Sequence, residues 1–178
     1  MRTFLRETLI TVLIAAVIFF GLQTTIQSFV IYHPSMEPNF VEKQRLLVNK
    51  VVYNFHDPER GDVIILRNPS NPNEDYIKRI IGLPGESVEI KEGTVYIHKN
   101  DDTEFPLDEP YIAEPPGQAF NGDIIPENEY FVLGDNRNNS VDSRSGWTVL
   151  RQNIIGKAWL LIWPPDSWGL AANFHFQE

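Results

Sequence analysis

The chain has 178 residues and a formal net charge of −9, from 15 Lys+Arg against 24 Asp+Glu. This acidic balance argues against a nucleic-acid binder, which needs a basic face to displace the counterions of phosphates. Apolar residues at 42% and aromatic residues at 12% are too abundant for a disordered chain. The absence of cysteine excludes disulfides, Cys-ligated metals and thiol nucleophiles.

The N-terminal region contains an uncharged, largely apolar run over residues 8–31. As a helix this run would measure roughly 36 Å, more than a hydrocarbon core of about 30 Å. A cleavable secretory signal is the alternative, because two arginines precede the run, but no A-x-A-type cleavage site follows it. We therefore predict a tail over 1–7, a transmembrane anchor helix over 8–31 and an extracytoplasmic β-rich domain over 32–178.

Beyond residue 40, short apolar runs alternate with turn residues and show no helical period. The pattern predicts a mostly β domain, built as a coiled antiparallel sheet or a partly closed barrel. The proline-rich stretch 100–128 is expected to be a long excursion from this sheet. The predicted strands are 46–53, 62–66, 76–81, 87–90, 94–98, 130–133 and 154–163.

The chemistry of the chain depends on serine, threonine or a carboxylate as a nucleophile, because cysteine is missing. None of the four histidines has a triad-like context or metal-ligand spacing, so we expect no metal and no cofactor. Lysine is the other candidate base, provided that burial keeps it neutral. Lys78 lies among apolar residues beside Arg79, and burial and the neighbouring cation would both lower its pKa. The alternative is an exposed lysine on the polar face of a strand, which is commoner.

Three segments carry the most distinctive motifs, namely PSMEP at 34–38, KRIIGLPGE at 78–86 and GDNRNNSVDSR at 134–144. In order and content they resemble the motifs of type I signal peptidases, which are membrane-anchored Ser–Lys proteases. Gly61-Asp62-Val63 resembles a further structural box of that family. The resemblance extends from the anchor to about Trp163, nearly the whole chain.

The resemblance implies a role for each matching side chain. Ser35 would be the nucleophile and Lys78 the general base, a variant of nucleophile-plus-base catalysis. Gly134 and Asp135 are interpreted as turn formers, and the two residues that follow them as structural. The supporting residues would be Ser140, which orients the lysine amine, and Asp142, Arg144 and Arg79, which hold this corner of the site.

The family binds the signal peptide as an added strand, with alternate side chains in two shallow pockets that select Ala-x-Ala. By resemblance Met36, Tyr76 and Ile77 would help to line these pockets, with core packing as the alternative.

Two positions depart from the family pattern. His33 stands where Ser, Thr or Gly is usual, and Asn39 stands where Thr is usual, which we interpret as a minor change in a local hydrogen bond. The first departure leaves the second oxyanion donor open, because only the backbone N–H of Ser35 is assured. Either the His33 ring or a backbone group would have to supply the other donor, and losing one donor costs about 10²–10³ in rate.

The function implied by the resemblance is removal of signal peptides from exported preproteins after Ala-x-Ala sites by a membrane-anchored serine endopeptidase. Its partners would be signal peptides and a lipid bilayer, with no nucleic acid and no metal. The N-terminus would be cytoplasmic and the catalytic domain extracytoplasmic on the plasma membrane, with a thylakoid-type internal membrane as the alternative. Interface candidates are Phe40, Trp159, Trp163 and Trp168, although core packing is preferred for Trp159 and Trp163.

Two rival functions fit parts of the pattern. A self-cleaving repressor-type peptidase resembles the Ser–Lys core, but that class is cytosolic and has a DNA-binding module where this chain has an apolar run. A catalytically silent, membrane-anchored β-domain that binds export substrates or envelope partners gains support from His33. Against it stands the presence together of five residues that a binding module does not need: Ser35, Lys78, Ser140, Asp142 and Arg144.

Overall fold

The computed structural model describes residues 2–69, 71, 73–100 and 103–176. The N-terminal helix α1 (Arg2–Thr25) leads directly into strand β1 (Ile26–Val30). The helix is long and apolar enough to cross a membrane over Phe4–Thr25, and its apolar side chains are exposed. It ends six residues before the predicted boundary at residue 31, because the β-branched and aromatic residues of β1 favour an extended strand and pair with the next one.

Twelve short strands occur in the part of the chain that the structure describes, and every pairing between them is antiparallel. They are β1 (Ile26–Val30), β2 (Arg45–Asn49), β3 (Val63–Arg67), β4 (Asp75–Gly82), β5 (Ser87–Lys91), β6 (Thr94–His98), β7 (Glu104–Pro106), β8 (Phe120–Asn121), β9 (Glu129–Leu133), β10 (Val149–Leu150), β11 (Ile154–Trp163) and β12 (Gly169–Leu170).

The strands form two sheets. The larger has the order β1-β2-β11-β3-β4-β9-β10, with β12 beside β11, and the smaller has the order β7-β6-β5-β8. This confirms the mostly β, antiparallel fold. Among the described residues the end strands β1 and β10 do not pair, so the larger sheet is open and the barrel alternative is wrong. The predicted excursion over 100–128 contributes β7 and β8, which complete the smaller sheet.

The predicted strand boundaries agree best where an apolar run ends in a turn residue. The strands 94–98 and 154–163 have the predicted bounds. The predicted strand 46–53 instead stops at Asn49, because the Asn49 side-chain oxygen accepts hydrogen bonds from the backbone of Val51 and Val52, both at 3.1 Å. These bonds lead into a 3-10 turn at Val52–Asn54.

The core consists of three apolar clusters, one of which surrounds the turn after β1 and includes Met36 and Phe40. Phe40 is fully buried, so its assignment to the membrane interface is wrong. Trp159 and Trp163 are 44% and 56% exposed, so the expected core packing of these two side chains is also wrong. Both exposed tryptophans lie in the second half of β11, whose first half contains the buried Ile154, Gly156 and Ala158.

Candidate active site

Ser35 lies in a 3-10 turn, Pro34–Met36, that follows β1. Pro34 suits the first position of such a turn because its φ is already restricted. The turn is fastened to the loop after β9, where the Asn136 backbone N–H donates to the Ser35 carbonyl (3.0 Å) and its side chain donates to the Pro34 carbonyl (3.2 Å). With Met36 anchored in the core on its other side, the turn holds Ser35 in one place.

Strand β4 brings Lys78 to this turn. Its Nζ lies 2.8 Å from Ser35 Oγ and 3.0 Å from the Ile77 carbonyl oxygen, to which it donates. Only 3% of Lys78 and 6% of Ser35 are exposed. The sequence left open whether Lys78 is buried or lies exposed on the polar face of a strand, and the structure shows that it is buried. Burial lowers the Lys78 pKa to about 8, although the carboxylates of Asp142 and Asp135 act in the opposite direction.

Both of those carboxylates are neutralised by arginines. Asp135 receives two hydrogen bonds from Arg79, from Nε at 2.8 Å and from Nη2 at 2.7 Å, and both side chains are fully buried. Asp142 receives two hydrogen bonds from Arg144, both 2.8 Å long. In each pair the two charge-assisted hydrogen bonds set a guanidinium charge directly against the carboxylate. This pairing therefore limits how strongly either carboxylate can stabilise an ammonium at Lys78.

Asp135 and Gly134 are not simple turn formers. Asp135 is a buried ion-pair partner, as described above. A Cβ at Gly134 would lie 2.4 Å from the Ser35 carbonyl oxygen and 2.3 Å from Ser140 Oγ, so glycine is required by this close approach. The Gly134 N–H also donates to Asp142 (3.1 Å), which ties the segment to the second ion pair.

Asn39 makes contacts that the sequence interpretation underestimated. Its amide nitrogen donates to Asp135 Oδ2 (2.8 Å) and to the Tyr111 carbonyl (2.7 Å). The Tyr111 ring in turn lies under the Arg79 guanidinium, with 4.1 Å between Cζ and the ring centroid. Asn39 is therefore a third donor group of the buried ion pair. The sequence indicated Asn39 only through its position directly after the first motif. Its hydrogen-bond partners could not be predicted locally, because they lie 72 and 96 residues away.

A cleft of about 860 Å³ opens beside the Ser35–Lys78 pair. The predicted site residues that line it are Ser35, Lys78, His33, Tyr76, Ile77 and Ser140. Met36, Arg79, Asp142 and Arg144 are not among the lining residues that the structure describes, and Met36 is fully buried in the core. His33 is exposed at the rim and its side chain makes no capping bond to the Ser35 turn.

Ser140 Oγ is buried in the wall of this cleft and makes no hydrogen bond to any described residue, Lys78 included. Leaving a buried hydroxyl unpaired costs about 1–3 kcal/mol. The hydroxyl is therefore free to bond to a group that enters the cleft or to a moved amine.

Two unpaired strand edges face the cleft. β1 is the end strand of its sheet, and its residues 27–30 line one side. β4 pairs with β3 over Asp75–Arg79 but with β9 only from Arg79 onward among the described residues, so residues 75–78 have one open edge. An extended peptide placed between these edges would find backbone donors and acceptors on both sides.

One group of potential metal ligands lies on the smaller sheet. Ligand atoms of Glu89, His98 and Glu104 all lie within 4.8 Å of one another. The Lys91 ammonium already bonds to both carboxylates, at 3.3 Å and 3.1 Å, and compensates their charge. None of these residues lines the Ser35–Lys78 cleft, so the cluster gives that site no metal.

Comparisons with known proteins identify a family that the chain matches. Residues 2–163 match the model of the family described as signal peptidase, peptidase S26. The chain is 38% identical over 95% of its length to a probable signal peptidase I-2 from Synechocystis sp., covering 77% of that protein. It is 40% identical over 93% of its length to a signal peptidase I from Leptolyngbya laminosa, covering 83% of it.

A solved structure gives the same result. The crystal structure of a signal peptidase I from Enterococcus faecalis matches with a TM-score of 0.51 and 35% identity, over 57% of this chain and 97% of that one. The chain therefore belongs to the signal peptidase family, peptidase S26.

Proposed function

We propose that this protein is a membrane-anchored serine endopeptidase that removes signal peptides from exported preproteins. The observation that carries the proposal is the 2.8 Å separation of Ser35 Oγ and Lys78 Nζ, both buried beside an open cleft. The relatives named signal peptidase I support the substrate class, and the apolar helix α1 supports attachment to a bilayer.

The amine can act as a base only when it is neutral. A neutral Lys78 has two N–H bonds and one lone pair, and the Ile77 carbonyl accepts one of these N–H bonds. The lone pair can then face Ser35 Oγ and take its proton while the oxygen attacks the scissile carbonyl. The resulting ammonium returns the proton to the leaving amine, and a water molecule later hydrolyses the acyl-enzyme with Lys78 again as the base. Ser140, unpartnered in the cleft wall, would orient the amine during these steps.

The tetrahedral intermediate carries a negative oxygen that needs donors. The Ser35 backbone N–H would supply one donor, because it belongs to the same turn as the nucleophile. His33 lines the cleft two residues earlier, and its ring N–H is the candidate for the second.

The cleft also supports recognition of an extended peptide. The open edges of β1 and β4 would hold the backbone of the substrate between them. The −1 and −3 side chains of such a strand point the same way, and small residues such as the alanines of Ala-x-Ala would fit against one wall of the cleft. Tyr76 and Ile77, adjacent residues on β4, would help to line this region from opposite faces of their strand. The fully buried Met36 would act only by supporting this wall.

The orientation follows from the same proposal. Signal-peptide cleavage sites emerge on the outer side of the membrane, so the catalytic domain would be extracytoplasmic and the N-terminus cytoplasmic. Ser35 lies ten residues beyond the last residue of α1, which would keep the nucleophile at the membrane surface. The plasma membrane is the proposed location, with a thylakoid-type internal membrane as the alternative.

Cleavage of a preprotein in detergent tests this function. The purified full chain should cut a preprotein after Ala-x-Ala, whereas Ser35→Ala and Lys78→Ala should each lose activity and still unfold cooperatively. A His33→Ser variant tests the oxyanion assignment, since a large loss of kcat means that the ring is the donor. Full activity of Lys78→Ala would overturn the proposed base.

A further inference from the structure

The C-terminal segment 171–176 contacts three strands of the larger sheet, although it is not itself a strand. The Ala171 N–H donates to the Trp159 carbonyl on β11 (2.8 Å). The Asn173 side chain accepts from the Val63 N–H on β3 (2.8 Å) and donates to the Ala158 carbonyl on β11 (3.0 Å). We call residues 171–176 the clamp segment.

The clamp segment supplies part of the shell around Arg79. Arg79 Nη1 donates to two carbonyl oxygens, those of Gly61 and Ala172, both at 2.9 Å. Nε and Nη2 are occupied by Asp135, so the clamp segment provides one of the two acceptors that remain for the guanidinium. Without Ala172, a buried cation would lose a hydrogen-bond partner, which is costly.

Two phenylalanines of the clamp segment also pack against Tyr111, the ring that lies under the Arg79 guanidinium. The rings of Phe174 and Phe176 lie 5.3 Å and 6.2 Å from the Tyr111 ring, and 4.8 Å from each other. Tyr111 itself stacks under the Arg79 guanidinium. The three rings therefore keep water from one face of the ion pair.

Gly61, which is far from the clamp segment in sequence, allows the backbone of Phe174 to pack closely against it. Gly61 has φ +92, and a Cβ there would lie 1.8 Å from the Phe174 carbonyl oxygen. The Phe174 N–H donates to the Gly61 carbonyl (3.2 Å). Because only glycine allows this approach, the main body of the fold is built to receive the clamp segment.

We propose that the clamp segment holds Arg79 against Asp135 and thereby positions β4, the strand that carries Lys78, with Asn173 and Phe174 as its positioning residues. This inference rests on the proposed Ser–Lys function. It concerns residues that do not touch the substrate, and it predicts an effect on the protonation of the base.

The sign of that effect follows from the charges around Lys78. A loosened clamp lets water reach Arg79 and weakens its pairing with Asp135. The freed carboxylate then stabilises the Lys78 ammonium, and the pKa of Lys78 rises. The other charged or titratable groups on this side are Asp142, which stays paired with Arg144, and the cleft residues Tyr32, His33, Glu74, Asp75 and Tyr76, the last with its ring centroid 5.1 Å from Lys78 Nζ. None of these is bonded to the clamp segment.

The experiment is a pH profile of kcat/KM from pH 6 to 10 on a preprotein in detergent. The variants are Asn173→Ala and Phe174→Ala, with His175→Ala as the matched control, because His175 is an exposed side chain of the same segment. We expect the acidic limb of both variants to move up by about 0.5–1 pH unit. At pH 7 their rate then falls about three- to tenfold, and at pH 10 it approaches that of the wild type.

The alternatives are separable. A uniform loss of rate with an unmoved midpoint, or a lower melting temperature with an unchanged profile, means a purely structural role and overturns the proposal. If Asn173→Ala or Phe174→Ala does not fold, Phe174→Leu replaces it in the same comparison and is judged by the same shift. A wild-type chain that cleaves no preprotein overturns the proposed function instead.

Discussion

Lys78 is held in the interior at a cost in stability. Its pKa of about 8 in the folded protein lies below the ordinary value of 10.5, chiefly because burial disfavours the ammonium. The unfolded chain therefore binds more protons than the folded chain between pH 8 and 10.5. Stability should rise with pH through that window, and the full penalty, on the order of 3 kcal/mol, applies below it.

We therefore predict that Lys78→Met is inactive but more stable than the wild type at pH 7, by about 1–3 kcal/mol. The methionine keeps the apolar packing of the side chain and removes the buried charge. Urea unfolding in detergent at pH 7 and pH 10.5 measures the difference, which should shrink at the higher pH. A variant that is less stable than the wild type at pH 7 would show that the amine contributes more through its bonds than it costs by burial.

The sequence motifs carry the two reacting residues and the supporting side chains that lie within the motifs, but not the groups that enclose the Arg79–Asp135 pair. Ser35 and Lys78 are recognisable because each lies in a short local motif. Asn39, Tyr111 and the Ala172 carbonyl enclose the Arg79–Asp135 pair from distant parts of the chain, and one of them acts through its backbone. No local pattern encodes such contacts, since they depend on how the strands are arranged in space.

Strand β1 connects the apolar helix α1 to the cleft beside Ser35 and Lys78. In the antiparallel β1–β2 pair, Lys50 donates to Thr25 and Ile31 donates to Gln44, both at 2.9 Å. Hydrogen bonds alternate along such a pair, so Gln27 and Phe29 also face β2. The N–H groups of Ser28 and Val30 consequently point to the open edge beside the cleft. The sequence hides this strand because its apolar residues continue the uncharged run of the helix.

We predict that Ser28→Pro lowers kcat/KM for a preprotein about five- to tenfold, through loss of one backbone hydrogen bond to the substrate. Proline is tolerated on an edge strand when its missing N–H faces away from the sheet, so the melting temperature should change little. Ser28→Ala is the matched control and should retain wild-type kinetics. Equal rates for the alanine and proline variants would exclude substrate pairing at this edge.

At the scale of the molecule, the anchor and the site are joined by successive elements of one sheet. Helix α1 leads into β1, β1 pairs with β2, and β2 pairs with β11. β11 carries the exposed Trp159 and Trp163, and Trp168 and Leu170 follow it in exposed positions. Tryptophan rings favour the membrane–water interface. A domain tethered at β1 thus presents aromatic side chains on strands close to its tether.

We predict that this face touches the bilayer during catalysis. In liposomes, a Trp163→Gln/Trp168→Gln double variant should cleave a membrane-inserted preprotein roughly thirtyfold more slowly, because interfacial burial of each ring contributes on the order of 1 kcal/mol. A short soluble peptide in detergent should be cleaved at the wild-type rate, since the cleft is unchanged. Ile124→Gln, at an exposed apolar residue outside this face, is the control and should alter neither rate. Equal cleavage of the inserted preprotein by the double variant and the wild type would mean that α1 alone sets the distance between the nucleophile and the membrane.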